Sequence, residues 1–195
     1  MKKRILSIVL AICLILSCVP ITVFAADGPG DVHDLLNEVL NKGKTQKLER
    51  DYIVTQRSIT LGKSVTIDLN GHVILFQGGH FEVGTSEYKK IQLTIKDTLA
   101  ESGTKPKHTD QFAGLPDGGV LTSTHGGTCG GCVRVTDTST FNLEEGALLY
   151  NCYASTEFPG SSNPGDGEGG AVYVDKGGTF NMKGGTIDGC TATTK

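Results

Sequence analysis

Gly169-Gly170-Ala171-Val172-Tyr173-Val174-Asp175-Lys176-Gly177-Gly178-Thr179-Phe180-Asn181-Met182 is the stretch whose reading decides the fold. It has an earlier counterpart. Gly130-Gly131-Cys132-Val133-Arg134-Val135 matches its start, and Thr140-Phe141-Asn142-Leu143 matches Thr179-Phe180-Asn181-Met182. Both copies then reach a glycine, Gly146 and Gly185. One single-residue gap later, Cys152 and Ala154 match Cys190 and Ala192. A repeat of this kind outranks any short motif, because it defines the unit of the architecture. Each copy holds short apolar alternations separated by glycine turns. Val172 and Val174 point one way and Tyr173 the other; Phe180 and Met182 point one way, Thr179 and Asn181 the other; Ile187 begins a third strand. Alternation with period two makes a half-buried strand each time. Three strands and three turns form one coil of a solenoid. Stacking pairs each strand in parallel with its counterpart, about 4.8 Å away. Phe180 is then expected over Phe141, and Val172 and Val174 over Val133 and Val135. One coil cannot bury its inward face alone, so neighbours must stack. The glycines serve corners that need positive φ. The expected class is all-β, a right-handed parallel β-helix over residues 48–195.

Earlier coils are less regular. Val65, Ile67 and Leu69 alternate with Thr66, Asp68 and Asn70 before the turn at Gly71. Phe81 and Val83 form a short strand, and Ile91, Leu93 and Ile95 alternate with Gln92, Thr94 and Lys96. Residues 98–127 are polar and read as a loop outgrowth with a strand near Val120-Leu121; residues 155–168 read as a second outgrowth. Val32, Leu35, Leu36, Val39 and Leu40 follow helical spacing, with Asp31 to cap the start and Gly43 to end the segment. A solenoid exposes apolar core at its first coil. Residues 26–47 are therefore expected to be an N-terminal amphipathic capping helix and a linker.

The chain opens with Lys2, Lys3 and Arg4, an apolar run from Ile5 to Phe24, and Val23 and Ala25 at the −3 and −1 positions of a cleavage site. That order reads as a secretory signal peptide over residues 1–25. A membrane anchor and a lipoprotein modified at Cys18 are the competing readings; Pro20 and Ala25 favour cleavage after Ala25. No second apolar segment follows, so no membrane insertion is expected after cleavage. Loss of the three cations takes the formal net charge from −3 to −6. An acidic chain lacks the basic face that phosphate binding needs, which argues against a nucleic-acid partner. Glycine supplies 27 of 195 residues. Without a proline period this is not collagen, and the alternating Val, Ile, Leu and Phe argue against a disordered linker.

Ser64-Val65-Thr66-Ile67-Asp68-Leu69-Asn70-Gly71-His72-Val73-Ile74 and the helix before it resemble the opening coil of pectin-lyase-like β-helix surface proteins of Gram-positive bacteria. The unit beginning Gly169-Gly170-Ala171-Val172 resembles their repeated coil. The resemblance covers most of residues 31–97 and 129–192. It implies the β-helix fold and a large surface or adhesin-like molecule. Polysaccharide lyases and hydrolases share that architecture, so fold alone does not select an activity.

Candidate chemistry is sparse. Cys129-Gly130-Gly131-Cys132 has the spacing of a zinc knuckle or redox pair, and Cys152 and Cys190 complete four thiols after the signal, with His125 nearby. The repeat stacks Cys152 over Cys190 and puts Cys132 where Ala171 sits, which are small apolar positions. Buried thiols, a disulfide permitted by export and a metal site all remain open for Cys129, Cys132, Cys152 and Cys190. Asp166-Gly167-Glu168, with Asp175 near, is an acidic loop of the kind calcium favours, but it lacks a regular Asp-containing repeat and reads as solvated turn. His72 and His80 stand at turns and read as polar surface. Arg134 and Lys176 lie on outward faces of adjacent coils and offer the cations a lyase would need. Lys105, Lys107 and His108 in the outgrowth could add to them. Paired hydrolase acids and a phosphate-binding loop are both missing from the sequence.

These observations assign no catalytic, cofactor-binding or metal residue. The expected role is that of an exported, non-enzymatic module of the cell surface, secreted or retained there, structural or adhesin-like. Polysaccharide or a surface glycan is the expected partner, met by strand faces carrying Thr, Asn, Arg and Tyr. The alternative is a lyase or glycoside hydrolase acting on acidic polysaccharide. The chain reaches Lys195 just after a complete coil, so a C-terminally truncated solenoid that self-associates through its uncapped last coil is also expected.

Overall fold

The computed structural model describes residues 28–55, 58–124, 129–155 and 167–193. The expected signal segment, Cys18, His125, Asp166 and most of the second outgrowth lie outside the described residues.

The described chain is mainly short strands in parallel sheets. In order these are β1 (Lys44–Lys47), β2 (Tyr52–Val54), β3 (Ile59–Thr60), β4 (Val65–Asp68), β5 (Val73–Phe76), β6 (Phe81–Val83), β7 (Gln92–Lys96), β8 (Val120–Ser123), β9 (Val133–Val135), β10 (Thr140–Leu143), β11 (Leu148–Tyr150), β12 (Tyr153–Ser155), β13 (Val172–Val174), β14 (Thr179–Met182), β15 (Thr186–Asp188) and β16 (Thr191–Thr193). The first sheet has the order β1-β4-β7-β10-β14, the second β2-β5-β8-β11-β15 and the third β3-β6-β9-β13; β12 and β16 form a two-stranded fourth. Consecutive strands enter different sheets, and the chain returns to each sheet by parallel pairing.

The registers are those the repeat dictates. Val133 pairs with Val172, Val135 with Val174, Phe141 with Phe180 and Ala154 with Ala192. The rings of Phe141 and Phe180 stack with centroids 5.2 Å apart and planes at 12°. Inward residues of three sheets meet in one core: Ile67, Leu93 and Phe141 from the first, Ile74, Leu121 and Leu149 from the second, Phe81 and Val133 from the third.

The Gly-Gly pairs that open the repeated units divide two tasks. Gly130 and Gly169 hold φ of +73° and +67°, a conformation that costs a residue with a β-carbon. Gly131 and Gly170 provide space instead. A β-carbon on Gly131 would stand 2.6 Å from Tyr153 N and press on Gly170 O, and one on Gly170 would stand 2.8 Å from Thr191 N.

Four expectations need correction. The repeated unit holds four strands rather than three, because Tyr153–Ser155 and Thr191–Thr193 also pair; polar Thr191 and Thr193 hide that strand from a hydropathy reading. The linker contributes a strand, since Lys44–Lys47 pairs with Val65–Asp68 at the edge of the first sheet, where backbone pairing does not require apolar side chains. The helix is shorter than residues 31–42. It spans Val32–Glu38 (α1), followed by a 3₁₀ turn at Leu40–Lys42 that ends on Gly43 with φ of +62°. Asp31 and Asp34 form a reciprocal cap at its start. Lastly, residues 98–119 are not plain loop: they hold α2 (Thr98–Glu101) and a 3₁₀ turn at Asp110–Phe112. The strand expected near Val120 lies centrally in the second sheet, between β5 and β11.

Helix α1 joins the same core through Val32 and Leu35. Glu38 ties it to the sheet: its carboxylate accepts from Tyr52 Oη at 2.6 Å and from Arg50 Nη2 at 2.6 Å. The Tyr52 hydrogen bond, then Arg50, hold that carboxyl below its ordinary range, while burial and Glu38 push the Tyr52 phenol up to about 12.

Candidate functional site

The second sheet is apolar on its inward face and largely apolar on its outward face up to β11. Its outward ladders run Ile53, Leu75, Thr122, Tyr150, Asp188 and Val73, Val120, Leu148, Thr186. A strand buried on both faces shows as a continuous apolar run rather than an alternation. Val73-Ile74-Leu75-Phe76 and Leu148-Leu149-Tyr150 are such runs. Something has to cover that outer face, and residues 98–119 do so. Phe112, 4% exposed, packs with Val73 and Val120, and Leu115 and Tyr150 join the same cluster.

Asp97 anchors this cover. Its side chain is fully buried and accepts from the backbone N–H of Gly71 at 3.1 Å, Leu99 at 3.0 Å, Ala100 at 3.2 Å and Gly119 at 2.6 Å. One carboxylate thus caps α2 and holds both ends of the outgrowth to the turn at Gly71. Asp68 adds bonds to Thr98 N at 3.0 Å and Thr98 Oγ1 at 2.6 Å. His108 closes the segment on itself, with Nε2 2.7 Å from Gly118 O.

The cover does not fill the whole face. It leaves an open groove of about 660 Å³ lined by Tyr150, Thr122, Phe112, Gln111, Asn151 and Tyr153 among others. Apolar rings, alcohols and side-chain amides therefore converge there. Among the described residues lining it there is no Lys, Arg, His, Asp or Glu. Tyr153 is held in place, its backbone N–H donating to Ser123 Oγ at 2.9 Å and its hydroxyl 3.0 Å from Thr193 Oγ1.

Cys152 lies beneath this groove and is bonded to Cys132, with Cα atoms 5.7 Å apart. Of the three readings for the thiols, the disulfide holds for this pair. Cys190 stacks on Cys152 as the repeat requires but is a thiol; its sulfur accepts from Cys152 N–H at 3.3 Å. Burial pushes the Cys190 thiol pKa up. Cys129 lies outside this disulfide. Among the described residues, no group of three or more His, Cys, Asp and Glu is placed to hold a metal ion.

The other candidate residues do not converge on the groove. Arg134 lies between two acids, with Nη1 3.4 Å from Glu82 Oε1 and Nη2 3.3 Å from Asp175 Oδ2. Lys105, Lys107 and His108 stay outside the groove lining. His72 meets Asp51, with Nδ1 to Oδ1 at 3.2 Å. His80 is not polar surface as its turn position implies. It is 6% exposed, with Nε2 3.3 Å from Ser58 Oγ and Nδ1 without a partner. Burial, then the charge of Arg134, push its pKa down to about 4.

The polar face of the first sheet is also less available than the strand alternation implies. Asn142 is 1% and Thr94 is 5% exposed. Asn142 Nδ2 donates to Thr94 Oγ1 at 3.2 Å, and Asn181 Nδ2 donates to Asn142 Oδ1 at 3.0 Å. These groups satisfy one another across the strands. Comparison of the chain with protein-family models, with curated proteins and with solved structures returns no match.

Proposed function

We propose that this chain is an exported, non-enzymatic module of the bacterial cell surface, built as a right-handed parallel β-helix of the pectin-lyase-like kind, and that it binds glycan in the groove over the second sheet. In this reading residues 1–25 are removed as a signal peptide, residues 26–47 begin the mature part with α1 capping the first coil, and residues 48–195 form the helix. The three-sheet itinerary and the repeat registers support the solenoid reading. The single observation that carries the binding role is the groove itself. A lining that brings tyrosine rings and apolar side chains together with amides and hydroxyls suits the alternating C–H faces and hydroxyls of a sugar.

A lyase acting on uronates is less well supported. β-Elimination needs a base at the α-proton and a cation or protonated group on the carboxylate. Of the two outward cations that the repeated units offer, Arg134 is already engaged by Glu82 and Asp175. The experiment is to express the full chain in an exporting host, measure the intact mass of the secreted product, and titrate that product with soluble oligosaccharides by calorimetry. Cleavage after Ala25 and saccharide binding without turnover are expected. Retention of residues 1–25 defeats the export reading; unsaturated uronate released from polygalacturonate defeats the non-enzymatic one.

A further inference from the structure

We infer that the groove over the second sheet selects an uncharged glycan and discriminates against uronates. The inference rests on the glycan-binding reading and adds the chemical class of the ligand. A uronate brings one carboxylate per sugar. Moving that charge out of water is costly unless a cation or a set of N–H donors meets it. No described residue lining the groove carries a cation. The charge that does share this face has the wrong sign: Asp188 is the register partner of Tyr150 on the outward ladder, and it is exposed. Asp188 opposes an anionic ligand, more strongly at low salt than at high salt, where the screening length is short.

An uncharged sugar meets none of these costs. Its C–H face can lie on Tyr150, which the apolar cluster around Phe112 and Val120 supports from behind. Its hydroxyls can exchange hydrogen bonds with Asn151 and Gln111, both exposed, whose amides each donate and accept. About 660 Å³ of open groove lies within the size of small-ligand sites, which fits a short stretch of chain rather than one sugar.

The test titrates the full secreted chain with cellohexaose, maltohexaose and chitohexaose, and separately with trigalacturonate, by calorimetry at low and at moderate salt. At least one of the three neutral oligosaccharides should bind, and trigalacturonate should bind at least tenfold more weakly. Tyr150→Ala should weaken neutral binding by tenfold or more, and Tyr150→Phe should retain it. Gln111→Ala, a change at an exposed position, should weaken binding severalfold without altering the melting temperature, which keeps the test independent of any folding defect in the Tyr150 variants. Asp188→Lys should raise trigalacturonate affinity tenfold or more. If trigalacturonate binds the wild type at least as tightly as the neutral probes, and Tyr150→Ala abolishes that binding, the uncharged class is wrong while the glycan reading stands. Binding of none of the probes defeats both.

Discussion

His80 shows how one residue ties stability to pH. Its neutral imidazole is buried against Ser58, and its folded pKa of about 4 lies below the ordinary value of 6.5. The unfolded chain therefore takes up a proton that the folded chain refuses. The stabilisation is fully present above about pH 6.5 and is lost as pH falls toward about 4, amounting to about 3 kcal/mol across that window. Carboxylates with lowered pKa, such as Asp51 and Asp175, lose their contribution lower still, below the ordinary carboxylate range. Chemical denaturation between pH 7 and pH 4 should show the loss in the wild type and a flatter profile in His80→Gln, which can still bond Ser58 but does not titrate. Equal slopes in the two proteins would remove His80 as the cause.

The covering segment depends on Asp97 more than on its own secondary structure. Helix α2 spans only Thr98–Glu101, too short to be stable alone. What holds it is one buried carboxylate that accepts four backbone N–H groups, from Gly71, Leu99, Ala100 and Gly119. Removing a buried acceptor leaves its donors unsatisfied, at about 1–3 kcal/mol for each donor that water cannot reach. Asp97→Ala should therefore cost about 3–5 kcal/mol in urea denaturation. It should also expose residues 98–119 to limited proteolysis and weaken the proposed saccharide binding, because Phe112 and Gln111 ride on that segment. Asp97→Asn keeps one oxygen acceptor and should fall between. A protease-resistant segment in Asp97→Ala would show that the Phe112 cluster alone holds it.

At the scale of the molecule, strands β13, β14, β15 and β16 each pair on one side only among the described residues. The inward side chains beside those edges are open: Val174 is 42% and Met182 54% exposed, whereas Val135 and Leu143 at the matching positions are buried. Unpaired strand edges next to exposed apolar surface invite pairing with another chain. A second copy of the chain is the occupant we propose. Sedimentation equilibrium of the expressed chain should show concentration-dependent association, and Val174→Lys with Met182→Lys should shift it to monomer. A wild-type monomer at every concentration would count against this contact.

The repeat makes the parallel registers legible in the sequence itself, because residues in successive copies must lie over one another: Phe141 on Phe180 and Ala154 on Ala192 follow from the match between copies alone. Helix α1 is equally legible, since its apolar spacing and its Asp31 cap are local properties. The groove is not. Most of its lining comes from residues 111–124 and 150–153, two segments that the repeat does not relate to each other, and their meeting depends on where Asp97 pins a polar segment without periodicity. The apolar runs at Val73–Phe76 and Leu148–Tyr150 signal an outer face in need of cover, but not which segment supplies it. The disulfide is undecided in the sequence for the same reason. The repeat places Cys152 beside Cys190, whereas the turn between β11 and β12 brings Cys152 to Cys132. Local periodicity is written in the sequence because each residue's neighbours along the strand impose it. Contacts between segments without a shared period are decided only when the whole chain packs.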